Sequence, residues 1–140
     1  FARSHPNGSL GRRLLKKVSD IMFKTRLPTV SVKSNLHKTI QIMTKFNYGI
    51  AVILDRNKKI VGIFTDGDLR RTLQKYSDFN NLKIRDVMTE KPFTISSDIL
   101  AAEALNILET NEITSLLIRS NTNQLSGIIT LNAILRAGIE

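Results

Sequence analysis

The chain contains no cysteine, which rules out disulfides and thiolate metal sites and makes the cytoplasm its expected compartment. Aromatic residues are scarce, at 6%. No basic stripe with interleaved stacking aromatics is present, and no helix-turn-helix, RNP or zinc-finger signature either. Nucleic acid is therefore a weak candidate partner, favoured by charge alone. Long apolar runs are missing too: none approaches the roughly 18–20 residues that span a bilayer, so no membrane helix is expected. The opening Phe1-Ala2-Arg3-Ser4-His5-Pro6 has neither an initiator Met nor an apolar h-region and reads as a piece of something longer. Acidic residues are outnumbered, 12 Asp and Glu against 21 Lys and Arg, for a formal charge of +9. Such an excess fits nucleic acid, membrane phosphate or a phosphorylated small molecule. Because the cations are spread along the whole chain, a solvated basic surface with one local phosphate-facing cluster is the expectation.

The chain does contain an internal duplication. Its 140 residues, 41% of them hydrophobic, suit one compact domain or two half-size repeats sharing a core. A shift of 65 positions lays Ile60-Val61-Gly62-Ile63-Phe64-Thr65 on Leu125-Ser126-Gly127-Ile128-Ile129-Thr130. The same shift lays Leu36, Thr39, Ile40 and Met43 on Ala101, Ala104, Leu105 and Leu108, each set with the i, i+3, i+4, i+7 spacing of one buried helical face. Asp20-Ile21-Met22 matches Asp86-Val87-Met88 with a one-residue slip. Two tandem units follow, residues 18–79 and 80–140, after a tail over 1–17.

Each unit reads β-α-β-β-α, a mixed α/β pattern. A short strand follows a proline, Thr29 to Val32 and Phe93 to Ile95, and a helix begins after Asn35 or Asp98, both good N-cap residue types. Two aliphatic strands come next, Ile50–Leu54 with Ile60–Phe64, and Ser115–Ile118 with Leu125–Ile129, joined by the polar turns 55–58 and 120–123. Closing helices run from Asp66 to about Lys75 and from Leu131 to about Ala137, the first with a partly apolar stripe of Leu69, Thr72, Leu73 and Tyr76. One repeat is too small to bury a good core alone, so the two are expected to pack sheet to sheet.

The strand end Gly62-Ile63-Phe64-Thr65 with Asp66-Gly67-Asp68-Leu69-Arg70-Arg71 resembles the strand-to-helix signature of CBS domains. Val18-Ser19-Asp20-Ile21-Met22 and Ile84-Arg85-Asp86-Val87-Met88-Thr89 resemble the lead-ins that open such repeats. The resemblance covers residues 18–140 and implies a CBS pair with pseudo-twofold symmetry. The stretch Phe1 to Leu15, containing His5-Pro6-Asn7-Gly8-Ser9-Leu10-Gly11-Arg12, resembles the junction in bacterial arabinose 5-phosphate isomerases, where a sugar-isomerase (SIS) domain runs into a CBS pair. Asn7 replaces a glycine of that pattern. This second resemblance implies a parent enzyme interconverting ribulose 5-phosphate and arabinose 5-phosphate for Kdo and lipopolysaccharide synthesis. It also implies homodimers through the CBS pairs and a tetramer of the whole enzyme. His5 matches a family histidine thought to act in catalysis.

An aldose–ketose isomerase needs a base beside a carbonyl and a cradle for phosphate. Only His5 is a candidate here, with no Gly-rich loop before it and no paired carboxylates nearby, so no catalysis is expected from this chain alone, and no cofactor or metal. Thr65 and Asp68 are the more informative pair. The resemblance implies that the aspartate holds ribose hydroxyls while the Thr hydroxyl and neighbouring amides face phosphate. The same Thr-x-x-Asp spacing is that of a helix capping box, which needs no ligand. Arg71 could reach a phosphate or sugar-acid carboxylate; an exposed helical face is its plainer role. If the resemblance holds, Met22, Thr29, Val30, Tyr48, Gly49, Ile50 and Ala51 line the first cleft, with core packing the plainer role of Val30 and Ile50. The second repeat keeps Thr130 but carries Ala133 where Asp68 stands, so the sites should be unequal. The expected occupant is a small anionic effector, AMP, ADP, ATP or CMP-Kdo. The alternatives are a ligand-free dimerisation module using apolar closing helices and, more weakly, a nucleic-acid-binding domain.

Overall fold

The computed structural model describes residues 15–139; His5, Arg12 and Arg13 lie outside them. The elements in chain order are α1 (Val18–Ile21), β1 (Thr29–Ser31), α2 (Leu36–Phe46), β2 (Ile50–Leu54), β3 (Ile60–Thr65), α3 (Asp66–Lys75) and α4 (Ile84–Val87). They continue as β4 (Thr89–Glu90), β5 (Thr94–Ile95), α5 (Ala101–Thr110), β6 (Ser115–Arg119), β7 (Leu125–Thr130) and α6 (Leu131–Arg136). The mixed α/β pattern read from the repeats is present, with two short lead-in helices and the strand β4 in addition.

The first sheet has the order β1-β2-β3-β4. β1 runs parallel to β2, as a strand returning through a helix must. β2 and β3 form a hairpin with a register shift at Ile53/Leu54, and β4 pairs antiparallel with β3 through Gly62–Glu90 and Ile63–Thr89. From Ile50 to Ile53, β2 is buried throughout, whereas β3 alternates. The second sheet has the order β5-β6-β7, and an antiparallel bridge from Phe23 to Ile128 stands where β4 stands in the first.

That bridge exposes a difference between repeat and compact unit. Among the described residues, one unit comprises 26–93 with 121–125; the other comprises 15–25, 94–120 and 126–139. Each lead-in therefore belongs with the other repeat. Val18 is fully buried in a core with Ala101, Ala104, Leu108, Ile118 and Ile134. Ile84 is fully buried in a core with Leu36, Met43, Ile53 and Phe64. The first N–H of α2 is donated by Leu36 to the Leu82 carbonyl at 2.9 Å, and that of α5 by Ala101 to the Lys16 carbonyl at 2.8 Å.

Asn35 caps α2 as expected, its Oδ1 accepting from Lys38 N–H at 2.8 Å. Asp98 does not cap α5. The N-cap is Leu100, with no side-chain acceptor, and Asp98 lies earlier, donating its N–H to Ser96 Oγ at 3.2 Å. Leu100 stands one 65-residue shift from Asn35, so repeat position outweighs residue type. The predicted inward faces are buried in both helices, with Ile40 only half-buried. The first closing helix departs from its predicted stripe: Thr72 is buried but Leu73 is 51% exposed.

Backbone geometry repeats with the sequence. The six described non-glycine residues with positive φ pair off as Arg26 with Lys91, Asn47 with Glu112, and Lys58 with Asn123, each 65 apart. Gly62 and Gly127 share one reason to be glycine. A Cβ on Gly62 would lie 2.6 Å from Met88 Sδ and 2.9 Å from the Thr89 carbonyl. A Cβ on Gly127 would lie 2.6 Å from the Phe23 carbonyl. In each unit a lead-in strand presses on the sheet where a side chain would stand.

Candidate functional site

The junction of β3 and α3 gathers the polar chemistry. Thr65 ends the strand in extended conformation and caps the helix, its Oγ1 accepting from Asp68 N–H at 3.2 Å. Asp68 answers: Oδ2 accepts from Thr65 N–H at 3.0 Å and from the Thr65 hydroxyl at 3.1 Å. The capping box read from the spacing is thus formed. Oδ1 accepts from Arg71 Nη2 at 2.7 Å and from Thr89 Oγ1 at 3.0 Å. Asp68 is 7% exposed, and Arg71 is 70% exposed. A buried carboxylate needs such partners, because stripping it of water without them is costly.

The hairpin register brings part of the predicted cleft beside this corner. Ile50 pairs with Thr65 and Ala51 with Phe64. The Gly49 carbonyl accepts from Asp66 N–H at 3.2 Å. Gly49 has φ +73° and a Cβ there would meet Asp66 Oδ2 at 3.2 Å, so a tight backbone turn sets β2 against the helix start. Tyr48, just before it, is half-buried. Thr29 and Val30 lie on the other side of β2, opposite Val52 and Ile53. Val30 and Ala51 are buried in the core, and Ile50 is buried too, which is their plainer role. Met22 belongs to the other unit, where its Sδ and Cγ flank Gly127. In the unit holding Asp68, the methionine at that place is Met88, because the lead-ins are exchanged.

Thr89 is the contact that reading the residues in sequence passed over. Its signal was present, as the last residue of the Asp86-Val87-Met88-Thr89 lead-in, but nothing local says that it reaches Asp68. A cleft of about 250 Å³ opens beside the corner, lined by Asp68, Arg71, Thr72, Lys75, Tyr76, Asp86 and Val87. A second, of about 380 Å³, lies between α2 and α3 over Ile40, Met43 and Leu69, rimmed by Thr44, Asn47, Gly49 and Asp66.

The other unit lacks this polar hub. Thr130 still caps α6, accepting from Ala133 N–H at 3.1 Å. However, Ala133 stands for Asp68 and Phe23 for Thr89, leaving Arg136 without the carboxylate that Arg71 has. Charge is divided in the same sense. Among described residues, Lys and Arg outnumber Asp and Glu more than twofold in the unit with Asp68 and balance them in the other. Also among described residues, no group of three or more His, Asp or Glu could hold a metal ion, and no helix is long and apolar enough to cross a membrane.

Comparison with known proteins agrees with this architecture. The family model of the CBS domain matches twice, over residues 18–75 and 84–140. Arabinose 5-phosphate isomerase KdsD of Yersinia pestis is 46% identical over 99% of this chain, and that of Pseudomonas aeruginosa 44% identical over 99%. The chain spans 42% and 43% of those relatives' lengths. Among solved structures, an uncharacterized conserved protein from Pyrococcus horikoshii superposes with TM-score 0.78 at 23% identity, over 91% of this chain and 95% of that one. The CBS domain pair of protein MJ0100, in complex with 5′-methylthioadenosine and S-adenosyl-L-methionine, gives 0.75 at 24% identity over 86% and 98%. The CBS domain protein PAE2072 from Pyrobaculum aerophilum, complexed with AMP, gives 0.73 at 15% identity over 84% and 88%.

Proposed function

The chain belongs to the CBS domain family, as a tandem pair, and from that premise we propose that it is the effector-sensing part of a sugar-phosphate isomerase, with its site at Thr65 and Asp68. The carrying observation is the asymmetry of the polar hub: a buried carboxylate with one oxygen toward an exposed arginine in one unit, an alanine in the other. The effector is a small anionic nucleotide, AMP, ADP, ATP or a nucleotide sugar such as CMP-Kdo. The adenosine compounds held by two proteins of the same fold support the first class. The extra positive charge of the Asp68 unit supports an anion of either class. The parent activity, interconversion of ribulose 5-phosphate and arabinose 5-phosphate in the Kdo pathway, rests on the similarity to KdsD enzymes. Binding regulates that activity only if it favours one arrangement of the catalytic domains over another.

A thermal-shift series with AMP, ADP, ATP, CMP and CMP-Kdo tests this. A ligand at about 100 times its dissociation constant adds roughly 2.7 kcal/mol to a folded state that alone binds it. The shift is expected with the unmodified chain and not with Asp68→Ala, each compared with its own ligand-free midpoint. No shift with any of the five removes the effector reading.

A second reading has its own support. The protein already fills the acceptor positions of Asp68, and Leu73 and Leu135 stand 51% and 46% exposed on the closing helices. On that reading the pair is an assembly module joining copies as a homodimer, within a tetrameric enzyme. Light scattering separates the two, since an assembly module keeps its mass when Asp68 is changed and loses it with Leu73→Glu.

A further inference from the structure

The two oxygens of Asp68 are held in unlike ways. Both donors to Oδ2 come from Thr65, local to the helix start, and persist as long as the helix does. Of the donors to Oδ1, Thr89 is fixed by the main-chain pairing of β4 with β3. Arg71 is the other, its side chain 70% exposed. Water and salt reach so exposed a cation, which leaves it exchangeable for another donor to the buried carboxylate. A hydroxyl on an incoming ligand reaches Oδ1 by taking the place of Arg71. The guanidinium cannot shed its charge when displaced. It then faces the 250 Å³ cleft, where Lys75 adds a second cation and Asp86 is the remaining carboxylate.

We propose that Arg71 is a specificity-determining residue: it occupies the ligand's place at Asp68 Oδ1, and yields it to a molecule carrying both a hydroxyl donor and an anionic group. The hydroxyl replaces the guanidinium on the carboxylate, and the anion receives the guanidinium. A neutral nucleoside offers only the first exchange and leaves Arg71 without a partner. The inference rests on the reading of Thr65 and Asp68 as an effector site, and it adds which half of the ligand is selected and by what.

Calorimetric titration of the pairs AMP and adenosine, and CMP and cytidine, tests it on the unmodified chain, Arg71→Ala, Arg71→Lys and Asp68→Asn. The nucleotide is expected to bind the unmodified chain more tightly than its nucleoside. Arg71→Ala narrows the gap from both sides. The nucleoside tightens about two- to fivefold as its competitor is removed, and the nucleotide weakens by about tenfold or more as a charged hydrogen bond is lost. Arg71→Lys keeps most of the preference. Added salt screens the ion pair and strengthens nucleoside binding to the unmodified chain, with no such gain in Arg71→Ala. If Arg71→Ala weakens both ligands equally or changes neither, while Asp68→Asn abolishes binding, the effector site stands and the competitor role is overturned. If neither pair binds any variant, this inference is overturned, while the effector reading stands or falls with ADP, ATP and CMP-Kdo in the thermal-shift series.

Discussion

At the scale of single residues, the chain repeats backbone positions that side chains dislike. Glu112 follows α5 with φ +54°, and the turn closes with Ile113 N–H on the Leu108 carbonyl at 3.0 Å and Glu112 N–H on the Glu109 carbonyl at 3.3 Å. That is a left-handed helix stop, for which glycine is the favoured residue. Glu112→Gly is expected to stabilise the chain by about 1 kcal/mol, read as a raised urea midpoint with unchanged slope. The Thr65–Asp68 pair shows what a residue pattern can and cannot convey. Its spacing announced the capping box, because both partners lie within one helical turn. It could not announce Thr89, whose hydroxyl arrives from 21 residues further on. The exchangeable oxygen of Asp68 was hidden for that reason.

At the scale of elements, periodicity was the reliable guide. The faces of α2 and α5, and the β2–β3 and β6–β7 hairpins, came from patterns the duplication states twice. Asp98 misled because N-cap preference is a property of residue type, whereas α5 starts one repeat shift from Asn35, at Leu100, which has no side-chain acceptor. The lead-ins were legible as motifs but not as members of a unit. Nothing within Val18–Met22 says which sheet edge it will meet. The two glycines that admit the lead-ins give a direct test. In Gly127→Ala, the added Cβ would meet the Phe23 carbonyl, a backbone atom that cannot swing aside. A loss of about 1–3 kcal/mol is expected, the usual cost of overpacking, measured by chemical denaturation. The neighbouring Ser126→Ala is the control: it adds no atom to the strand and should change little.

For the whole molecule, exchange of lead-ins makes Val18 part of the second repeat's core. A chain beginning at Arg26 would lose Val18 from beneath Leu108 and Ile134, the Val18 N–H to Ile99 carbonyl bond of 2.9 Å, and the Phe23–Ile128 bridge. Its own repeat's core, built on Leu36, Ile53, Phe64 and Ile84, contains none of those residues. Hydrogen exchange should therefore show protection falling across residues 94–120 and 126–139, far from the cut, while Ile50–Thr65 keeps more of its protection. Equal loss in both stretches would mean that the two units unfold as one. Simple reading of the repeats as beads, 18–79 and 80–140, leads to the opposite expectation, that trimming the start damages the first.

The same exchange sets a clock on synthesis. Val18 leaves the ribosome roughly 80 residues before Ile99, whose carbonyl takes its N–H, and further still before Ile134, against which it packs. At ~5–20 residues per second, that is a wait of roughly 4–16 s with Val18, Ile21 and Met22 unsheltered. The β1–β3 region can collapse meanwhile, but its fourth strand, Thr89–Glu90, arrives only near the end of that wait. A nascent chain of this kind has an apolar segment with no home until the second repeat has been made, and is a natural client for a chaperone that grips short apolar stretches.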